Sequence, residues 1–185
     1  MILPIQIYGN KVLTQPGTSI DKNYPELSKL IEDMFETMYA SSGIGLAAHQ
    51  IGLPIKLFIV DISHYKEGDE KLKLFKKVFI NSEILECSGE EESINEGCLS
   101  FPGIDFNIKR KPIIKLKYLD ENFVEHEETF DGLAARCIQH EHDHTQGILF
   151  THRASSLSRS LMRSKLENVE KGKFQTNYKY KIKKN

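Results

Sequence analysis

Residues 140–144 read His-Glu-His-Asp-His, an HExxH pattern whose outer histidines stand four apart. On an α-helix that spacing puts both rings on one face, so His140 and His144 can offer nitrogens to a single metal ion. Glu141 lies one position along, beside the metal without binding it, where its carboxylate can take a proton from water that the metal acidifies. The alternative for so short a pattern is a solvated polar helix face. Two histidines leave such a site unfinished, because a catalytic centre of this kind has three protein ligands and one open position. Cys98, Cys137, His126, His152, His49 and His142 are the candidates for the third. Cys137 shares the helix face but sits among Leu133, Ile138 and other core-like residues, where cysteine behaves as a small apolar side chain. Cys98 stands in Glu96-Gly97-Cys98-Leu99-Ser100-Phe101-Pro102-Gly103, whose glycines and proline mark an irregular, closely approached backbone. A strand end there can deliver a thiolate to a helix-borne metal, which favours Cys98.

A third segment, Gly43-Ile44-Gly45-Leu46-Ala47-Ala48-His49-Gln50, reads as a glycine-rich turn. It lacks the Lys-Ser/Thr that a phosphate loop requires. Its small residues would let a substrate backbone come close, and Gln50 could present an amide donor.

The elements that must position these groups follow from periodicity. Leu27, Leu30, Ile31, Met34, Phe35, Met38 and Tyr39 recur at helical spacing, with Pro25 before them and Gly43 after. Short runs rich in β-branched and aromatic residues follow at 57–60, 78–80, 113–118 and 123–130, with Asp120-Glu121-Asn122 as a hairpin turn. A second helix is expected to open at Asp131 as cap and to carry the HExxH residues as far as Gly147. A third is expected over 156–170, with Leu157, Leu161, Met162, Leu166 and Val169 as its apolar stripe. The order of helix, strands, then helices predicts an α+β fold, with antiparallel sheets packed around a central metal-binding helix, an N-terminal helix and a C-terminal helix. Residues 1–172 are read as one catalytic domain and 173–185 as a mobile basic tail.

Together the three segments resemble the peptide deformylases, whose motifs GxGLAAxQ, EGCLS and HExDH read here GIGLAAHQ at 43–50, EGCLS at 96–100 and HEHDH at 140–144. The likeness runs from Ile2-Leu3-Pro4-Ile5 to the last helix. It implies that Cys98, His140 and His144 hold one divalent metal, Fe(II) in cells, with Zn(II), Ni(II) or Co(II) also compatible with a thiolate and two imidazoles. It implies further that Glu141 is the general base for attack of water on an N-formylmethionyl peptide, with release of formate. The Gln50 side chain and the Leu99 N–H would stabilise the formyl oxygen. Gly43, Ile44, Gly45, Ile94, Phe101, Pro102, Gly103, Leu133 and Cys137 are the expected substrate-pocket residues, the chain docking as an added strand along Gly43–Gly45 and Pro102–Gly103. Two positions depart from the family: His49 where Pro or Asn is frequent, read as a tolerated surface residue, and Thr145 where Leu is usual. Glu96 and Arg110 can pair to brace the Cys98 loop, an exposed pair of little consequence being the default.

Of 185 residues, 25 are basic and 26 acidic, a balance that at first excludes a general polyanion binder. The balance is uneven along the chain. Residues 151–185 hold ten basic and two acidic side chains, leaving the first 150 with a net charge of −9. In this family the substrate leaves the ribosome, so the resemblance makes Ser156–Asn185 an expected ribosome-docking element, with no DNA partner. No apolar run approaches a membrane span, and the N-terminus has no signal-peptide character, so a cytoplasmic enzyme is expected. With three cysteines a disulfide scaffold is not expected, and thiol or metal chemistry becomes the question. Rival readings are a zinc endopeptidase on the same helix, which leaves EGCLS without a role, and a metal-stabilised RNA-binding module.

Overall fold

A computed structural model describes residues 1–64 and 74–183. Its centre is a five-stranded antiparallel sheet in the order β2 (Gly45–Ala47), β3 (Leu57–Asp61), β4 (Lys76–Ser88), β7 (Ile113–Leu119), β8 (Glu125–Asp131). β3 is buried along its whole length, and because side chains alternate across a strand it feeds two cores. Leu57 and Ile59 join Met34 and Met38 of α1 (Leu27–Ala40) on one face. Phe58 and Val60 meet Ala134, Ala135 and Ile138 of α2 (Gly132–Thr145) on the other. The sheet is thus held between the two helices expected from their periodicity. The turn at 120–122 closes the β7–β8 hairpin, with Asp120 accepting from the Asn122 N–H at 2.8 Å.

Two further pairings complete the α+β architecture. β5 (Glu92–Gly97) and β6 (Asp105–Arg110) form an antiparallel ribbon that carries the Cys98 segment between them. β1 (Ile5–Gln6) pairs in parallel with β9 (Tyr180–Lys181).

Several details differ from expectation. Asp131 precedes α2 but makes no side-chain cap; the Gly132 N–H donates to Pro112 O at 3.1 Å, which satisfies one of the free groups of the first turn. The last helix is broken at Met162 into α4 (Ser156–Leu161) and α5 (Arg163–Glu170), after a short α3 (Phe150–Arg153). The break splits the apolar stripe: Val169 is 3% exposed, whereas Leu157 and Leu161 are 69% and 75% exposed. The segment expected to be a mobile tail is docked through β9, with Phe174 and Tyr178 packed against the core. Its last two residues, Lys184 and Asn185, lie outside the described residues.

Candidate metal centre

α2 is buried along most of its length, and seven of its buried residues are polar: Arg136, Gln139, His140, Glu141, Asp143, His144 and Thr145. Buried polar groups cost free energy unless each finds a partner, so the ones left over are informative. Gln139 donates to Lys111 O at 3.0 Å and Thr145 to His142 O at 2.7 Å. Asp143 accepts from Arg110 at 2.8 Å and from Arg153. Arg136 donates to Glu96 at 2.7 Å, to Ile108 O at 3.1 Å and to Glu92 O at 2.9 Å. Among the described residues the buried side-chain polar atoms without a partner are Glu141 Oε2, His144 Nδ1 and His49 Nδ1. Two of the three belong to the HExxH motif.

The third ligand follows from the same geometry. Ligand atoms of Cys98, His140 and His144 all lie within 4.8 Å of one another, and Cys98 Sγ stands 3.3 Å from His144 Nε2. Tetrahedral coordination by one thiolate and two imidazoles separates such atoms by roughly 3.3–3.6 Å, so the donor set fits a first-row divalent ion. His140 Nδ1 faces Glu96 Oε2 at 3.0 Å, which leaves Nε2 for the cluster; a partner on the far nitrogen is what orients a metal-binding imidazole. The competing residues are engaged elsewhere. His126 contacts Asp120, His142 meets Ser82, His152 accepts from the Leu149 N–H, and His49 faces Gln15 O. Cys137 is buried in the α2 core, and burial pushes its thiol up.

Burial and neighbouring charges shift the two imidazoles in opposite directions. Burial opposes the charged form of His140, but Cys98 and Glu96 outweigh it and push the ring well above its ordinary value. His144, buried and facing the charge of His140, is held well below. Glu141 is pushed up to about 7 by burial, against the pull of His140 and Arg110. Its neighbour is Gly45, where a Cβ would stand 2.5 Å from Glu141 Oε1. Only glycine leaves room for the carboxylate. Gln50 accepts from the Ala47 N–H at 2.8 Å through Oε1, which turns Nε2 inward to 3.5 Å from both Cys98 Sγ and Ser100 Oγ.

These groups line a cavity of about 660 Å³. Gly43, Ile44, Gly45, Ile94, Phe101, Pro102, Gly103, Leu133 and Cys137 border it together with Gln50, Cys98, Leu99, His140 and Glu141. His144 is 1% exposed, behind that wall. Ile94 is at the rim, 43% exposed, whereas Phe101 is 1% exposed.

Three expectations need correction. The Glu96–Arg110 pair is not exposed: its side chains are 5% and 1% accessible, and two parallel bonds join them. His49 is not at the surface but fully buried, its Nε2 3.0 Å from Gln15 O. The endopeptidase reading gave no role to the EGCLS segment, yet Cys98 stands in the donor set. Six residues of the cavity wall escaped the sequence reading: Ser42, Asn95, Ile104, Asp105, Arg136 and Tyr178. Arg136 precedes His140 by four and so shares its face, a spacing that could have revealed it.

Residues 2–160 match the polypeptide deformylase family. The chain is 47% identical over 189 residues to the peptide deformylase of Christiangramia forsetii, covering 98% of this chain and 96% of that protein. It is 46% identical to the peptide deformylase of Flavobacterium johnsoniae, with 98% and 96% covered. Among solved structures, the peptide deformylase of Legionella pneumophila superposes with a TM-score of 0.80 at 36% identity, over 92% of this chain and 96% of that one. A Plasmodium falciparum peptide deformylase gives 0.82 at 30% identity, over 91% and 95%.

Proposed function

The chain belongs to the polypeptide deformylase family, and from that premise we propose that it hydrolyses the formyl group from N-formylmethionyl ends of newly made polypeptides, releasing formate. The observation that carries the assignment of roles is the buried, unpartnered Glu141 Oε2 beside the Cys98, His140 and His144 ligand cluster in the cavity. Those three residues would hold one divalent ion, Fe(II) in cells on the family pattern, and Zn(II), Ni(II) and Co(II) would suit the same donors. When bound, the ion acidifies water and polarises the formyl carbonyl.

Glu141 accepts the proton of the attacking water and passes it to the departing amine, a role open to a buried carboxyl with one oxygen left unpartnered. As charge builds on the formyl oxygen, Gln50 Nε2 and the Leu99 N–H donate to it. Ile44, Leu133 and Cys137 receive the methionine side chain, and the following residues extend along Gly43–Gly45 and Pro102–Gly103. Such a substrate places the enzyme in the cytoplasm, near the ribosome. A docking surface is supported by exposed Leu157 and Leu161 with Arg159, Arg163 and Lys165 around them; co-sedimentation with ribosomes should weaken as salt rises, and salt-insensitive binding would contradict it.

The catalytic reading is tested by formate release from a formyl-Met peptide with anaerobically prepared, metal-loaded protein. Glu141→Ala should retain metal and lose about 10²–10⁴ in kcat. A wild-type protein with full metal occupancy and no formate release would overturn the assignment.

A further inference from the structure

Over residues 98–101 the chain turns back on itself, and three successive carbonyls have three different partners. Cys98 O accepts from the Phe101 N–H at 2.8 Å, the bond of the turn itself. Ser100 O accepts from the Tyr8 N–H at 2.9 Å, just beyond β1. Leu99 O accepts from the Tyr178 hydroxyl at 2.7 Å, from 79 residues further along the chain. Tyr178 also forms part of the cavity wall.

The segment carrying Tyr178 is itself anchored. The Ile5 N–H donates to Lys179 O and the Ile7 N–H to Lys181 O, both at 2.9 Å. Asn10 Nδ2 donates to the same Lys181 O at 2.9 Å, and the rings of Phe174 and Tyr180 pack 4.8 Å apart. The chain flanking the β1–β9 ladder therefore grips the turn from two sides, through Tyr8 just beyond one strand and Tyr178 just before the other.

We propose that Tyr178 is a positioning residue for deformylation: its hydroxyl holds the Leu99 main chain so that the Leu99 N–H stays aimed at the formyl oxygen. The proposal rests on the reading of Leu99 as an oxyanion donor. The carbonyl and N–H of Leu99 flank one Cα, so rotation that frees the first re-aims the second, and an oxyanion donor is effective when it is fixed before the reaction. The C-terminal segment is on this view part of the active site, and deleting 173–185 would remove catalytic support while leaving the α4 and α5 surface in the chain.

The test compares metal-loaded, full-length Tyr178→Phe with Tyr180→Phe, which removes a hydroxyl from the same segment outside the cavity. Tyr178→Phe should lower kcat about fivefold, equivalent to about 1 kcal/mol, with KM changed less than about twofold and metal content unchanged. Amide hydrogen exchange over 98–101 should quicken while β1 and β9 keep their protection. Tyr180→Phe should match wild type in all four measurements. The proposal is overturned if Tyr178→Phe leaves kcat and exchange over 98–101 unchanged, or if its loss of activity tracks loss of metal or faster exchange throughout the chain. Absence of turnover in the wild type would instead count against the assigned reaction, and exchange over 98–101 would still decide whether Tyr178 holds the turn.

Discussion

Replacing Glu96 by glutamine asks whether the buried ion network behind α2 holds the metal-binding face in shape. Glu96 accepts from Arg110 through both oxygens, from Arg136 and from His140. The amide has nearly the same shape, but it removes the charge and turns an NH2 group toward donors. Burial alone would raise the Glu96 carboxyl; His140 and Arg110 outweigh it and bring it to about 2 against an ordinary 4.5. At about 1.4 kcal/mol per tenfold, the charged form contributes roughly 3 kcal/mol to the folded state at pH 7. That agrees with the roughly 3–5 kcal/mol lost when one partner of a buried ion pair is removed. The part of the upward push on His140 that comes from Glu96, after the larger part from Cys98, is the other side of the same interaction and adds nothing further. Because the folded value lies below the unfolded one, the contribution is complete above the unfolded value and is lost as pH falls through about 2. Urea unfolding of metal-stripped wild type and Glu96→Gln should therefore differ by about 3 kcal/mol at pH 7 and by only about 1 kcal/mol at pH 3. Metal affinity should fall about 10–100-fold as His140 loses its acceptor. A stability difference below about 1 kcal/mol at pH 7, or one equal at pH 7 and pH 3, would refute the reasoning.

Gly45→Ala places a Cβ 2.5 Å from Glu141 Oε1 and 2.8 Å from its Cγ, so the carboxylate must move. Steady-state formate release should drop at least about tenfold with metal content retained, since a small misplacement of a proton-transfer group is costly; unchanged kcat would mean that the position of Glu141 is not critical. Cys137, buried with its thiol pushed up, should resist iodoacetamide at pH 8 in the folded protein and react in urea, while exposed Cys87 reacts in both. Peptide mapping by mass spectrometry reads both, and rapid labelling of Cys137 in the native state would contradict its burial.

The chemistry was legible wherever a short stretch of chain carries it. Four-residue spacing put His140 and His144 together, and flanking glycines marked the Cys98 turn. Runs such as Leu57–Val60 announced β3, whose two faces both meet core. Of the ion network only the Glu96–Arg110 pair was anticipated, and as an exposed one by default, because Glu96, Arg110, Arg136 and Asp143 come from β5, β6 and α2 and each alone looks like an ordinary surface charge. β6 was missed for a related reason. Its inward positions are Phe106, Ile108 and Arg110, buried alternately with exposed Asp105, Asn107 and Lys109, so the alternation is present but ends on a charge whose partner lies across the ribbon. His49 was misread because its burial depends on Gln15 and Gly17, distant in sequence; a Cβ at Gly17 would stand 2.9 Å from His49 Cε1.

The C-terminal segment shows how net charge can hide order. Counted as composition, 173–183 is lysine-rich and short of aliphatic residues, and a mobile tail follows from that count. Taken in order, Tyr178-Lys179-Tyr180-Lys181-Ile182-Lys183 alternates with period two, a strand pattern, and of its apolar positions Tyr178 is the one packed against the core while Tyr180 and Ile182 stay 42% and 41% exposed. The lysines are what such a strand needs at an edge, where charge discourages pairing with other chains. β1 has its two residues buried, and the main-chain N–H groups of Ile5 and of Ile7 just after it donate to Lys179 O and Lys181 O. Main-chain pairing of this kind asks little of side-chain identity. The side chain that matters is Tyr178, which turns from the ladder to the Leu99 carbonyl. The same eleven residues therefore carry both the positive charge that suits a ribosomal surface and a contact with the active-site turn. If a partner bound through these lysines and pulled β9 from β1, the contact with the turn would be lost with it, so the docking proposed above would leave catalysis intact only through α4 and α5.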